Sequence, residues 1–380
     1  MSDSKKTTDK VKTVNTRTTE TVKNPKASKS SEKKTRASGK VSTEVEAMIA
    51  SEKKKKRGAT VLAVISCVLA SLILIYCVVD LSAPLFFAEF YKDAKKSVKI
   101  PGLNEAFVPQ GFAYSEALGS YLVCGYMSNS EQSRIYVVDD DGEYKEIRLK
   151  KENGDNYTGH AGGISCNGSD VYISNNKKIF YLSAETLKNA KDLESVAFEG
   201  SFDVPCRSSF TFCDEEMLWV GEFYTDGYNT DVTHKLGTAD GEHNAFIFGY
   251  KLDENGDFGV GNTEMPDVVY SVCDKVQGMC MTQGGKVVLS TSYGLANSEL
   301  KIYDVSNATK LQYKYKDNIL PLYVLDSTCM EKTVVMPLGS EDIDIHNGKV
   351  IIGFEFAAKK FGGGLLPFAI ENIMLYTVEK

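Results

Sequence analysis

Residues 277–304 read QGMCMTQGGKVVLSTSYGLANSELKIYD. Three extended segments are legible here. QGMCMT opens on two polar or small residues and then alternates, as a short strand does. KVVLS is an apolar strand that ends in the small residue Ser290, and LKIYD is a third strand. Gln283-Gly284-Gly285 supplies the turn between the first two.

The same three-part pattern occurs five times. Its first part recurs as QGFAYS from Gln110, GGISC from Gly162, SSFTFC from Ser208 and EDIDIH from Glu341. Its second part recurs as LVCG, VYIS, LWVG and VIIG, ending at Gly125, Ser174, Gly221 and Gly353. Its third part recurs as IYVVD from Ile135, IFYLS from Ile179, IFGYK from Ile247 and IMLYT from Ile373. From Phe112 to Ile164, Phe210, Met279 and Ile343 the spacings are 52, 46, 69 and 64 residues. Three or four antiparallel strands at such a period predict an all-β, five-bladed β-propeller. A two-sheet sandwich would not repeat in this way. Residues 309–333 are irregular and leave room for a sixth blade. Outer strands are expected in SFDVPCR, TVVMPLGSE and KSVKIPGL. The last precedes the first repeat, so the strand around Val98 to Ile100 should complete the fifth blade and close the ring. One short helix is expected near Ala184 to Leu193.

The rest of the chain differs in kind. Residues 1–57 hold 17 Lys/Arg, 7 Asp/Glu and no aromatic residue. That composition predicts a disordered basic tail, with a short helix over 43–57 as a variant. Residues 59–79 carry no charge and would span about 32 Å as a helix, enough for a bilayer core. A cleaved signal peptide would have a shorter apolar stretch and a shorter lead-in. Lys53 to Lys56 and Arg57 abut the span, which predicts a cytoplasmic N-terminus and an extracytoplasmic body in the cell membrane. The expected organisation is a tail over 1–57, a single-pass transmembrane helix over 58–80, a juxtamembrane linker over 81–97 and the propeller over 98–380. Phe86, Phe87, Phe90 and Tyr91 would form an interfacial belt or cap the folded body. Residues 101–380 hold 23 Lys/Arg against 41 Asp/Glu, which argues against nucleic-acid binding. The same charge predicts repulsion from an anionic membrane surface.

Propeller geometry places the start of each first strand and the loops between second and third strands on one face. Gln110, His160, Arg207, Gln277, Glu341 and Asp342 stand at the strand starts, and Glu222 and Glu355 in the loops. These eight are the candidate ligand-binding residues of a channel mouth, suited to a carbohydrate, a peptide, a protein segment or a cation. Tyr126, Asn129, Asn175, Asn176, Tyr224 and Tyr293 would rim it. Arg207 could pair with Glu341 or Asp342 across the channel. Glu222 and Glu355 could serve as an acid/base pair in a glycosidase. His234 and His243 share a loop, but their spacing matches no metal-ligand pattern. Residues 139–142 and 253–257 resemble calcium loops yet lack the Glu at position 12, so they read as hairpin turns. No Walker, GxSxG, HExxH or Rossmann motif occurs. No catalytic residue and no metal ligand set is identified, and no cofactor is implied beyond a channel divalent cation such as calcium.

Seven of nine cysteines lie beyond the apolar span; Cys206 and Cys213 are the one close pair that could form a disulfide. Sequons at Asn156, Asn167 and Asn307 matter only in a glycosylating host. The loop 362–368, GGGLLPF, would either fold back or meet a partner or the membrane.

VPQG at Val108, SRIYVVD at Ser133 and GHAGGI at Gly159 resemble extracytoplasmic propellers of the broad YncE-like and strictosidine synthase/SMP-30-like group. The resemblance covers roughly residues 98–380 and implies a ligand- or protein-binding module. Its alternative implication is a hydrolase, lactonase-like or glycosidase-like. Hydrolytic members of that group hold a central divalent cation with Glu, Asn and Asp. Here Gln110, Gln277, Glu341 and Asp342 stand at comparable positions, but His160, Gly162 and Ser208 depart from that set.

Overall fold

The computed structural model describes residues 32–227 and 231–379, with side chains from residue 42 onward. Two compact units are distinguished, residues 1–73 and 74–380.

One helix, Glu32–Leu81, is long and apolar enough to cross a membrane. Its helical run includes residues 32–57, part of the stretch expected to be disordered; residues 1–31 lie outside the described residues. Ala, Glu, Met and Lys in this part are good helix formers, and a helix already nucleated by the apolar run extends into them at little cost.

The second unit is a five-bladed propeller, as the repeat predicts. Blade 1 pairs Phe107–Ser115, Ser120–Met127, Arg134–Val138 and Tyr144–Lys150 antiparallel, with Glu194–Ala197 added parallel at its outer edge. Blade 2 comprises Gly163–Asn167, Asp170–Asn175, Lys178–Ser183 and Gly200–Asp203. Blade 3 comprises Ser208–Cys213, Met217–Glu222, Ala245–Lys251 and Val268–Val272. Blade 4 comprises Val276–Met281, Lys286–Thr291, Ser298–Asp304 and Met330–Met336. Blade 5 comprises Ser340–His346, Lys349–Phe354 and Asn372–Tyr376, and takes its outer strand, Ala94–Lys99, from the beginning of the domain. That exchange closes the ring and removes an open sheet edge.

The irregular stretch is no sixth blade. Thr309–Tyr315 and Asn318–Val324 form a hairpin that pairs parallel with Val268–Val272 and widens blade 3 to six strands. The short helix forms over Ala184–Asn189, where Ser183 Oγ accepts the Thr186 amide as an N-cap. Residues 139–142 and 253–257 are turns: Asp139 Oδ1 accepts the Asp141 and Glu143 amides, and Asp253 Oδ1 accepts that of Asn255.

The small residues opening each first strand have a steric cause. The five inner strands crowd about the axis. A Cβ on Gly111 would lie 2.6 Å from the Ile164 nitrogen, and one on Gly278 would lie 2.5 Å from that of Ile343. Neither distance is tolerable, so only glycine fits there. Between blades, aromatic and branched side chains fill the space; Phe112, Phe210, Met279 and Ile343 are all at most 1% exposed.

The segment 81–97 is not a free linker. It folds as two short helices, Ala83–Phe86 and Ala88–Asp93, followed directly by the closing strand. Phe87 and Phe90 are buried, and Phe90 stacks on Tyr376 at 5.9 Å and meets Phe354 edge-on. Of the four aromatics, Phe86 alone is largely exposed. Capping the body therefore wins over an interfacial belt for Phe87, Phe90 and Tyr91. Every cysteine is a free thiol; Cys206 and Cys213 are buried singly, Cys206 beneath the Val220 carbonyl, and form no disulfide.

Candidate functional site

Four of the five inner strands begin with an irregularity in their ladder, between Pro109 and Gly111, Ser208 and Phe210, Val276 and Gly278, and Ser340 and Ile343. Such bulges leave a residue unpaired and re-aim its side chain. The residues inside them are Gln110, Ser209, Gln277, Glu341 and Asp342. The repeat thus delivers a polar side chain to the axis from successive blades. In blade 2 the turn is made instead by Ala161, whose backbone is left-handed at φ 49°, with the His160 amide bonded to Asn175 Oδ1.

These strand starts and the loops between second and third strands line a cavity of about 410 Å³. Of the eight sequence-derived candidates, Gln110, His160, Arg207, Gln277, Glu341 and Glu355 line it. Glu222 and Asp342 do not. Glu222 is 1% exposed, contacts His234 Nδ1 closely and accepts the Phe246 amide at 3.0 Å. It fastens the loop carrying His234 to blade 3, so it cannot serve beside Glu355 as an acid/base pair. Asp342 lies on the axis, fully buried, with Oδ2 accepting the Ile164 amide at 3.0 Å. Its Oδ1 is buried and has no partner, so it does not pair with Arg207. His234 and His243 also separate, His243 turning to Ser271 Oγ.

The carboxylates that do meet are Glu341 and Glu355. Gln110 Nε2 donates to Glu355 Oε2 at 3.2 Å, and Gln277 Nε2 lies 3.4 Å from Glu341 Oε1. Burial and the neighbouring negative charge of Glu355 push Glu341 well above the usual carboxylate range. Burial pushes Glu355 up to about 7, against the opposing pull of Lys360. Burial and mutual repulsion both disfavour two full charges on this pair.

Above them stands an aromatic and cationic wall. His160 stacks on Tyr126 at 4.5 Å, and Lys360 Nζ lies 5.0 Å from the Tyr126 ring centre and bonds its hydroxyl. Desolvation in the mouth and the Lys360 charge hold the His160 imidazole below its ordinary value, although the residue is exposed at the rim. Its ring is therefore neutral at pH 7. Phe223, Tyr293, Phe356 and Phe361 also line the cavity.

Lys360 and the Glu341–Glu355 pairing were not legible beforehand. Lys360 belongs to a turn, Lys359–Phe361, whose sequence signal was only a lysine pair before three glycines. The pairing of residues 341 and 355 depends on how far the bulge re-aims one side chain, which spacing does not encode.

A central metal is a poor fit. Among the described residues no group of three or more His, Cys, Asp or Glu side chains is arranged to hold one. Each mouth carboxylate is met by an amide donor, which occupies an oxygen a cation would need.

No protein-family model and no curated protein matches the chain. Solved structures similar to it include hydrazine synthase from Kuenenia stuttgartiensis, at 10% identity and TM-score 0.34, covering 67% of this chain and 56% of that one. The PQQ-bound aldose sugar dehydrogenase from Streptomyces coelicolor is similar at 14% identity and TM-score 0.40, covering 74% and 96%. A gluconolactonase from Xanthomonas campestris is similar at 11% identity and TM-score 0.34, covering 75% and 95%.

Proposed function

We propose that this chain is a membrane-anchored, extracytoplasmic binding module whose cavity at the propeller mouth takes a polar ligand. The basic tail faces the cytoplasm, the apolar helix anchors, and the propeller presents the cavity outside. The observation that carries the reading is the convergence of Gln110, His160, Arg207, Gln277, Glu341 and Glu355, from all five blades, on one cavity of about 410 Å³. Amide and hydroxyl partners beside the Tyr126, Phe223 and Tyr293 rings suit a carbohydrate or a short peptide.

A hydrolase is the second reading, and the Glu341–Glu355 pair is what favours it. A panel of glycoside, lactone and ester substrates, offered to the full chain with and without calcium, decides between the two. Binding without turnover is expected. Turnover that is lost in Glu341→Gln would replace the binding reading with catalysis.

A further inference from the structure

The loop 362–368 bears three glycines, two leucines, a proline and Phe368. It folds back against the end of the apolar helix. The Gly364 carbonyl accepts the Tyr76 hydroxyl at 2.8 Å, and the Phe368 amide donates to Asp80 Oδ1 at 3.0 Å. The Phe368 ring packs on Phe86 at 5.7 Å and Phe87 at 5.4 Å.

These ties fix the depth of the loop once the helix is taken as a membrane span. Tyr76 lies inside the apolar run 59–79, three residues before its end, about 4.5 Å at helical rise. A tyrosine there is at the level where bilayer core meets headgroups. A loop bonded to its hydroxyl must share that level. The exposed side chains agree. Leu365 is 75% exposed, and Leu81, Leu85 and Phe86 are 80%, 82% and 69% exposed, all on the segments these bonds join. They continue the apolar surface of the span without an intervening charge other than Asp80, which the Phe368 amide engages.

We infer that the loop 362–368, with Leu81, Leu85 and Phe86, is seated in the outer leaflet. The occupant of this apolar surface is the lipid of the chain's own membrane. The overall negative charge of the body opposes approach to anionic lipid, but that field is screened within about 8 Å at physiological salt. Next to the loop stand the exposed Lys359 and Lys360, which favour phosphate headgroups. Lys360 and Phe361 also line the cavity. The mouth therefore lies within a few residues of the headgroup layer.

This inference rests on the anchoring reading, and one experiment separates the two. The full chain is placed in phosphatidylcholine nanodiscs brominated high on the acyl chains, with unbrominated discs as reference. Trp219, the single native tryptophan, is buried in blade 3 and gives a constant background. Reporters are Leu365→Trp and Leu85→Trp in the seat, Leu72→Trp in the span, and Ile319→Trp on the exposed blade 3 hairpin. The expected result is loss of most of the added emission, with a blue shift, for the seat and span reporters and none for Ile319→Trp. Quenching of Leu72→Trp without Leu365→Trp and Leu85→Trp would overturn the seat and leave the anchor. Quenching of none would overturn both. Equal quenching of Ile319→Trp would overturn the seat as a specific surface.

Discussion

The Asp342 carboxylate of blade 5 accepts the Ile164 amide of blade 2 at 3.0 Å, reaching past blade 1 across the propeller axis. The bond ties two non-neighbouring blades. It has a steric condition as well. A Cβ on Gly163 would lie 2.8 Å from Asp342 Oδ2, so the glycine before Ile164 makes room for the carboxylate. Removing the carboxylate strands a buried amide. Asp342→Ala should cost about 1–3 kcal/mol in denaturant unfolding of the full chain. Asp342→Asn, which keeps an acceptor, should cost less. Equal stability of the alanine variant would show that the cross-axis bond contributes nothing.

Asp344 makes a parallel tie, its Oδ2 accepting the Tyr114 amide at 2.9 Å. Burial raises it from 3.8 to about 7. A carboxyl raised on folding contributes its full stability below the unfolded value, and loses it as pH rises through the folded value. Glu355 acts in the same sense. The melting temperature should therefore be higher at pH 5 than at pH 8, with the fall concentrated between about pH 4 and 7. Asp344→Asn should flatten that slope. A melting temperature that rises from pH 5 to pH 8 would contradict the assignment.

Glu222 is a fold residue here, despite its position in a loop expected to line the mouth. Glu222→Ala leaves His234 and the Phe246 amide without their buried partner, and should destabilise by about 3 kcal/mol or more. Glu355→Gln, at a half-buried mouth position, should not lower the melting temperature at pH 8, where burial penalises the ionised carboxylate that it replaces. Thermal unfolding of the two variants side by side checks the contrast.

Phe90 joins the segment after the helix to the propeller core. Phe90→Ala removes a fully buried ring from its stack with Tyr376 and should cost about 3–5 kcal/mol. Phe86→Ala, at an exposed ring, should cost far less. If both were equally mild, residues 81–97 would be a linker after all.

Much of this fold is written in the repeat. The strand starts at Gln110, Gln277 and Glu341, the small residues at Gly125 and Gly353, and the closing strand before the first repeat all mark steric demands that recur blade by blade. The hairpin over residues 309–324 was illegible because it belongs to no repeat; it attaches by a parallel pairing to a strand far back in sequence. The site was half legible for a similar reason. Strand starts point to the mouth by topology, but the direction of a bulged side chain is set by packing. Glu222 directly follows Gly221 and ends its second strand, whereas Glu355 lies two residues past Gly353, beyond Phe354, and only Glu355 reaches the cavity. Glu222 is captured by His234 from the long loop of its own blade.

The central claim is that the mouth cavity binds a ligand. It is tested most directly by calorimetric titration of carbohydrate and peptide libraries into the nanodisc-embedded full chain and its Tyr126→Ala and Gln277→Ala variants. The account predicts a ligand that binds the wild type, loses at least about tenfold in affinity in each variant, roughly 1.4 kcal/mol, and leaves the melting temperatures of the unliganded proteins close together. A ligand bound equally well by all three proteins would place the binding site elsewhere and contradict the account.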